Sequence, residues 1–220
     1  MSQKTKFRLP VSWIVIALIL GLYILGFILY PSLPGMMPSH WNLSGRVDSY
    51  MPKTWYLIFF PTLILVLYLL MSFAPIIDPK AENYKKFSGV YQGFRALITL
   101  VMAGIYVATL LYALGIPISV AKVVIFALGI MLTFTGNYFG KVRYNYTFGI
   151  KTPWTLASEE VWNKTHRISG PLWVMAGLVW IFSIFLPDKT AFVVDMAALM
   201  AATLYGFVYS FMLYNKLDGK

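Results

Sequence analysis

A 220-residue chain that is 59% hydrophobic and only 12% charged has too little polar surface to cover a soluble fold, for which about 25% charged residues is usual. Its net charge of +10 is spread along the chain without a compact basic domain. The charge therefore reads as membrane topology and attraction to anionic headgroups, with no direct nucleic-acid partner. Cysteine is absent, which excludes disulfides, thiolate nucleophiles and Cys-based metal sites.

Lipid leaves helices or a closed barrel as the only backbones that satisfy their own polar groups. A barrel needs short segments of alternating polarity, whereas this chain has long uniform apolar runs at residues 11–30, 55–74, 97–114, 120–138, 171–186 and 191–214. Most approach the length of about 20 residues that a span requires. They predict an all-α, polytopic membrane protein with six transmembrane helices. The first run has the basic flank of a signal peptide, but it is too long and no small-x-small cleavage site follows it, so it reads as a retained helix. Placing the N-terminus inside puts Lys4, Lys6, Arg8, Lys80, Lys85, Lys86, Arg95, Lys141, Arg143, Lys151, Lys164, Arg167, Lys216 and Lys220 on inner segments. Only Arg46, Lys53, Lys122 and Lys189 are then left outside. This asymmetry predicts an N-in/C-in topology.

The outer loop, residues 31–54, is rich in proline and glycine and reads as a turn-rich segment rather than a helix. His40-Trp41-Asn42 sets an imidazole, an indole and an amide side by side, and Gly45-Arg46-Val47-Asp48 looks like a turn whose Arg46 and Asp48 can pair. Two readings stand here. In one, Trp41, Tyr50 and Trp55 are aromatic-belt anchors at the headgroups. In the other, His40, Trp41, Asn42, Arg46 and Asp48 form an external ligand-recognition surface.

Further along, Lys122 and Asp195 fall near the outer ends of their spans and are placed to form an outer-leaflet ion pair. Gly104, Gly129 and Gly136 allow bending. Gly136 and Gly140 are four apart, share a helix face and allow close helix contact, with Asn137 beside them. In the inner loop, residues 140–170, the stretch Gly149-Ile150-Lys151-Thr152-Pro153 must leave helical geometry, because proline disfavours it in the residue before. A short cytoplasmic interfacial helix then begins at the N-cap Ser158. Glu159 and Glu160 lie in its first turn, Lys164 and Arg167 in its last, and Gly170 ends it before Pro171 opens the fifth span. Glu159, Trp162 and His166 share one stripe. Either Trp162 dips into lipid with His166 at the boundary, or Glu159 and His166 form a pH-sensitive pair.

The two histidines, His40 and His166, fall on opposite sides of the membrane, so no two-His zinc site is expected. With no P-loop, H-E-x-x-H or G-x-S-x-G motif, neither a cofactor nor catalytic residues are expected, and the chain does not read as an enzyme. Ionisable groups within spans leave a small-solute or ion transporter or channel as the alternative.

Several of these motifs carry a family resemblance. Pro38-Ser39-His40-Trp41-Asn42, Gly45-Arg46-Val47-Asp48 and Pro52-Lys53 resemble the N-terminal module of SdpI-type proteins. Gly136-Asn137, Gly149-Ile150-Lys151-Thr152-Pro153-Trp154-Thr155-Leu156 and Val161-Trp162-Asn163-Lys164-Thr165-His166-Arg167 resemble their C-terminal module. The resemblance implies two modules, residues 1–95 and 96–220. It also implies an immunity and signalling protein of the bacterial plasma membrane. Such a protein protects against a secreted, membrane-active peptide toxin and holds an ArsR-type autorepressor at the membrane. The outer loop would meet the toxin. The inner motif, with Asn137, Lys151, Thr152, Pro153, Trp154, Glu159, Trp162, His166 and Arg167, would meet the repressor.

Overall fold

The computed structural model describes residues 10–218; the N-terminal Lys4, Lys6 and Arg8 and the C-terminal Lys220 lie outside them. Uninterrupted apolar sequence forms α1 (Trp13–Leu29). The outer loop then folds as an antiparallel hairpin of β1 (Met36–Trp41) and β2 (Val47–Pro52), which the apolar patterning did not predict. Its turn is built by Asn42, whose side-chain oxygen accepts from the backbone N–H groups of Ser44 and Arg46. Gly45 completes it at φ +67°, a conformation that side chains disfavour. Pro38 and Pro52 are tolerated because a two-stranded ribbon has only edge strands.

The helices α2 (Lys53–Ile77), α3 (Ser88–Ala113) and α4 (Val120–Phe139) follow. Ser119 caps α4 by accepting from the Lys122 N–H. The short α5 (Pro153–Ala157) opens with a capping box between Thr152 and Thr155 and has proline in its first turn. Ser158 caps α6 (Glu159–Ser183), and α7 (Asp188–Asp218) closes the fold. Five helices, α1 to α4 and α7, are long and apolar enough to cross a membrane, consistent with a multi-pass membrane protein.

α6 corrects the expected interfacial helix. That helix and the fifth apolar run are one continuous element, with Pro171 inside it. Proline there removes the N–H that would bond the Arg167 carbonyl and crowds that carbonyl with its ring, yet the helix continues through it. Gly170 does not end the helix; it lets α4 approach. A Cβ on Gly136 would lie 2.6 Å from the Gly170 carbonyl oxygen, and one on Gly170 would lie 2.7 Å from that of Gly136. One on Gly129 would lie 2.9 Å from the Gly177 carbonyl oxygen. The pairs Gly129/Gly177 and Gly136/Gly170 run in opposite directions along the two chains, so α4 and α6 are antiparallel at near backbone contact. Gly129 and Gly136 therefore serve close packing rather than bending. Gly140, the expected partner of Gly136, is the C-cap of α4 and meets only the Arg167 Cα, at 4.0 Å.

Two apolar clusters organise the bundle. One joins α1, α2, α3 and the hairpin through Ile19, Leu22, Met37, Tyr56, Tyr68 and Tyr106. The other, at the opposite end, joins the α2–α3 connection and the inner loop to α6 through Tyr84, Phe87, Tyr91, Val142, Tyr144 and Trp162. Arg95 belongs to α3 rather than to the preceding connection. It is buried, and donates to Ser72 Oγ (2.7 Å) and to the Pro10 carbonyl (3.1 Å).

Candidate functional site

The hairpin sits over the adjacent ends of α2, α3, α4 and α7 and roofs a cavity of about 470 Å³. His40, Trp41 and Asn42 form its polar lip, with Asp188 at the start of α7; Tyr56, Phe60, Val124 and Phe192 supply apolar wall. The turn rests on α7, since a Cβ on Gly45 would lie 2.8 Å from Asp188 Oδ2. His40 Nδ1 donates to Asp48 Oδ1 at 2.6 Å. Asp48 therefore pairs with the imidazole and not with Arg46, because its strand position places it across the ladder from β1. Both members of the pair are solvent-exposed, so the contact orients His40 more than it stabilises the fold, by at most about 1 kcal/mol. Trp41 is half-buried and meets Tyr112 edge-on at 6.1 Å, whereas Tyr50 and Trp55 are exposed as anchors would be. Tyr56 and Asp188 were missed in the sequence, where one lay inside an apolar run and the other in a linking turn.

At the opposite end, Trp162 and His166 are fully buried, which excludes both an indole in lipid and a Glu159–His166 pair. The reason is the inner loop, which folds over this stripe of α6. The Trp162 ring stacks on His166 (centroids 4.1 Å, planes 26° apart), and its Nε1 donates to the Val142 carbonyl at 3.1 Å. Gly149 passes directly over both rings at φ +128°; a Cβ there would collide with His166. His166 Nδ1 donates to the Trp162 carbonyl (2.8 Å), and its Nε2 accepts the Ile150 N–H (2.8 Å). Only the neutral ring can do both.

Burial pushes this imidazole, which precedes the apolar half of α6, down to about 4. Between its ordinary value near 6.5 and about 4, the unfolded chain binds the proton and the folded chain does not, so stability rises with pH across that window. Acidification through it is expected to remove about 3 kcal/mol. Thermal unfolding in detergent at stepped pH checks this. His166→Gln, which keeps an acceptor for Ile150 and cannot titrate, is expected to flatten the dependence.

The other inner-motif residues divide between anchors and surface. Thr152 is buried, and its hydroxyl meets Ser210 Oγ of α7 at 3.0 Å. Trp154 packs against Phe207 and Phe211, each 5.0 Å away. Pro153 starts α5. Asn137, Lys151, Glu159 and Arg167 are exposed.

Sequence reasoning missed what locks the inner loop to the first half of the chain. The buried Asp78 carboxylate accepts from the N–H groups of Lys80 (2.7 Å) and Tyr146 (2.9 Å) and from the Tyr84 hydroxyl (3.1 Å). Tyr84 also bonds Thr147. Asn145 shapes the loop by accepting from the Thr147 and Phe148 N–H groups (2.9 and 2.7 Å). The sequence signal for Asp78 was an acid directly after an apolar run and before Pro79. The expected Lys122–Asp195 ion pair does not form; Asp195 is buried and its carboxyl meets Ser183 of α6.

A helical membrane bundle with a hairpin-roofed pocket at one end and a loop sealed into the other is the class these features define. Comparison with known proteins shows what the chain is similar to. Residues 141–210, which hold the inner motif except for Gly136 and Asn137, match the SdpI/YfhL protein family, as the motif resemblance implied. Residues 17–66, which hold the hairpin, match a "Domain of unknown function (DUF1648)". The chain is 24% identical over 197 residues to "Immunity protein SdpI" of Bacillus subtilis (strain 168), covering 90% of this chain and 92% of that protein. No solved structure matches.

Proposed function

We propose that the chain is a non-enzymatic immunity protein of the bacterial plasma membrane that binds a secreted, membrane-active peptide toxin in the hairpin-roofed cavity. The observation that carries this reading is the cavity itself. Its apolar wall suits side chains of a membrane-active peptide, and its lip of His40, Asn42 and Asp188 suits the peptide's backbone and polar groups. Similarity to an immunity protein over 90% of the chain supports the same role. The reading is of six spans, N-in and C-in. α6 lies antiparallel along α4 and so accompanies it across the bundle. The hairpin end carries few basic residues, and the opposite end carries Lys80, Lys85, Lys86, Lys141, Arg143, Lys151, Lys164 and Arg167.

Signalling to an ArsR-type repressor is the further part of the proposal. Asn137, Lys151, Glu159 and Arg167 are the exposed inner-motif groups such a partner would touch, while Trp162 and His166 hold the loop in shape. Two modules, residues 1–95 and 96–220, would then divide the work, with coupling that requires the toxin to bind one state of the bundle better than another.

The test is survival of a toxin-sensitive bacterium expressing the chain. Wild type is expected to protect, and His40→Ala at equal membrane level is expected to lose protection. Full protection by His40→Ala would remove the cavity from the mechanism. No protection by correctly inserted wild type would remove immunity to that toxin. The transporter alternative rests on buried Asp195, and solute flux unchanged by Asp195→Asn and Asn137→Ala would remove it.

A further inference from the structure

α7 carries an acid that neither the pocket nor the inner loop uses. Asp195 lies seven residues into α7, about 10 Å along the helix from Asp188 at the cavity, and is 1% exposed. One carboxyl oxygen, Oδ1, has no hydrogen-bond partner. Among the described residues, no lysine, arginine or histidine lies within ion-pair distance of it. An ionised carboxylate in such surroundings would be left with an unpaired, desolvated charge, which costs far more than a neutral acid.

The hydrogen count agrees. Ser183 Oγ lies 2.8 Å from the Trp180 carbonyl oxygen and 2.9 Å from Asp195 Oδ2. Serine has one hydrogen, and a carbonyl can only accept. When that hydrogen serves Trp180, the bond to Asp195 needs a hydrogen from Asp195 itself. The Trp180 indole N–H meanwhile donates to the Asp195 backbone carbonyl at 2.9 Å and fixes α7 against α6. Beside this contact lies an apolar groove of about 530 Å³, lined by Phe182, Leu186 and Val194 among others, in which Ser183 is the polar residue.

We propose that Asp195 is a proton-binding site within the membrane bundle, held as a neutral carboxylic acid that donates to Ser183 and reached from the lipid side through this groove. Such a group reacts with an apolar carbodiimide. Its oxygen adds to the central carbon of the reagent and its proton moves to one reagent nitrogen. The adduct then rearranges to an N-acylurea with nothing released. An ionised carboxylate lacks the proton for the first step.

The experiment uses the full chain in phosphatidylcholine vesicles at neutral pH, treated with dicyclohexylcarbodiimide or with a water-soluble carbodiimide, followed by peptide mass spectrometry and infrared spectroscopy. The apolar reagent is expected to label Asp195 and the soluble one to leave it unlabelled. The protonated carboxyl band is expected to be lost in Asp195→Asn, a near-isosteric change. In Ser183→Ala the label is expected to persist and the band to shift upward as its hydrogen bond is removed. A protonated band unchanged by Asp195→Asn, or absence of the Asp195 adduct in folded wild type, would overturn the proposal. A band unmoved in Ser183→Ala would overturn the donated hydrogen bond.

Discussion

Gly136→Ala is expected to destabilise the protein by about 3 kcal/mol, although alanine is the better helix former. The new Cβ would lie 2.6 Å from both the Gly170 carbonyl oxygen and the Val174 nitrogen. Both are backbone atoms of a packed helix, so neither can swing aside as a flexible side-chain tip would. The two helices must separate, and the contacts on either side of the crossing are lost with them. Gly136→Leu is expected to give no folded protein. The control is Gly104→Ala on α3, where an added Cβ meets nothing within 4 Å. Helix propensity alone then acts, and stability is expected to hold or rise by up to about 1 kcal/mol. Thermal unfolding of the purified proteins in one detergent separates the two cases. Equal behaviour of both variants would show that α4 and α6 are not in backbone contact.

That pair of glycines also marks where the sequence was legible. Apolar run length located α1 to α4 and α7, because burial in lipid asks only for length and uniform hydrophobicity. It misjudged α6, whose first half is polar by composition yet has one stripe, with Trp162 and His166, buried under a covering loop. A Trp162/His166 stripe looks the same from sequence whether lipid, water or protein will face it. Gly170-Pro171 reads as a helix end in isolation, and only the presence of α4 turns Gly170 into a contact point. The hairpin escaped because its strands are short and carry Pro38 and Pro52 instead of alternating apolar residues. The turn was expected at Gly45–Asp48, but it forms at Asn42–Gly45, with Val47 and Asp48 already in β2. Of the outer residues singled out, His40, Trp41 and Asn42 meet at the cavity. Asp48 orients His40 from outside the lining, and Arg46 stands apart and exposed. Asp78 and Asn145 were illegible because their partners lie in other segments; Asp78 and Tyr146 are 68 residues apart.

Trp162→Ala is expected to cost about 4 kcal/mol and to free the inner loop. The indole is the largest fully buried side chain, and its removal opens a void beneath Tyr144, His166 and Gly149. It also strips the Val142 carbonyl of its buried donor. Tryptic cleavage at Arg143 and Lys151 is expected to accelerate as the loop lifts. Trp162→Phe keeps a ring against His166 and loses only the donated hydrogen bond, so it is expected to cost about 1–3 kcal/mol and leave the bundle intact. This milder variant separates the two ends of the molecule. α6 has 25 residues and spans about 37 Å, so a disturbance confined to its first turns leaves the hairpin cavity untouched. Trp162→Phe is therefore expected to weaken capture of an inner partner while toxin protection persists. Equal loss of both at normal membrane levels would mean that the two ends do not act as separate sites, and that the sealed loop is part of what keeps the outer cavity formed.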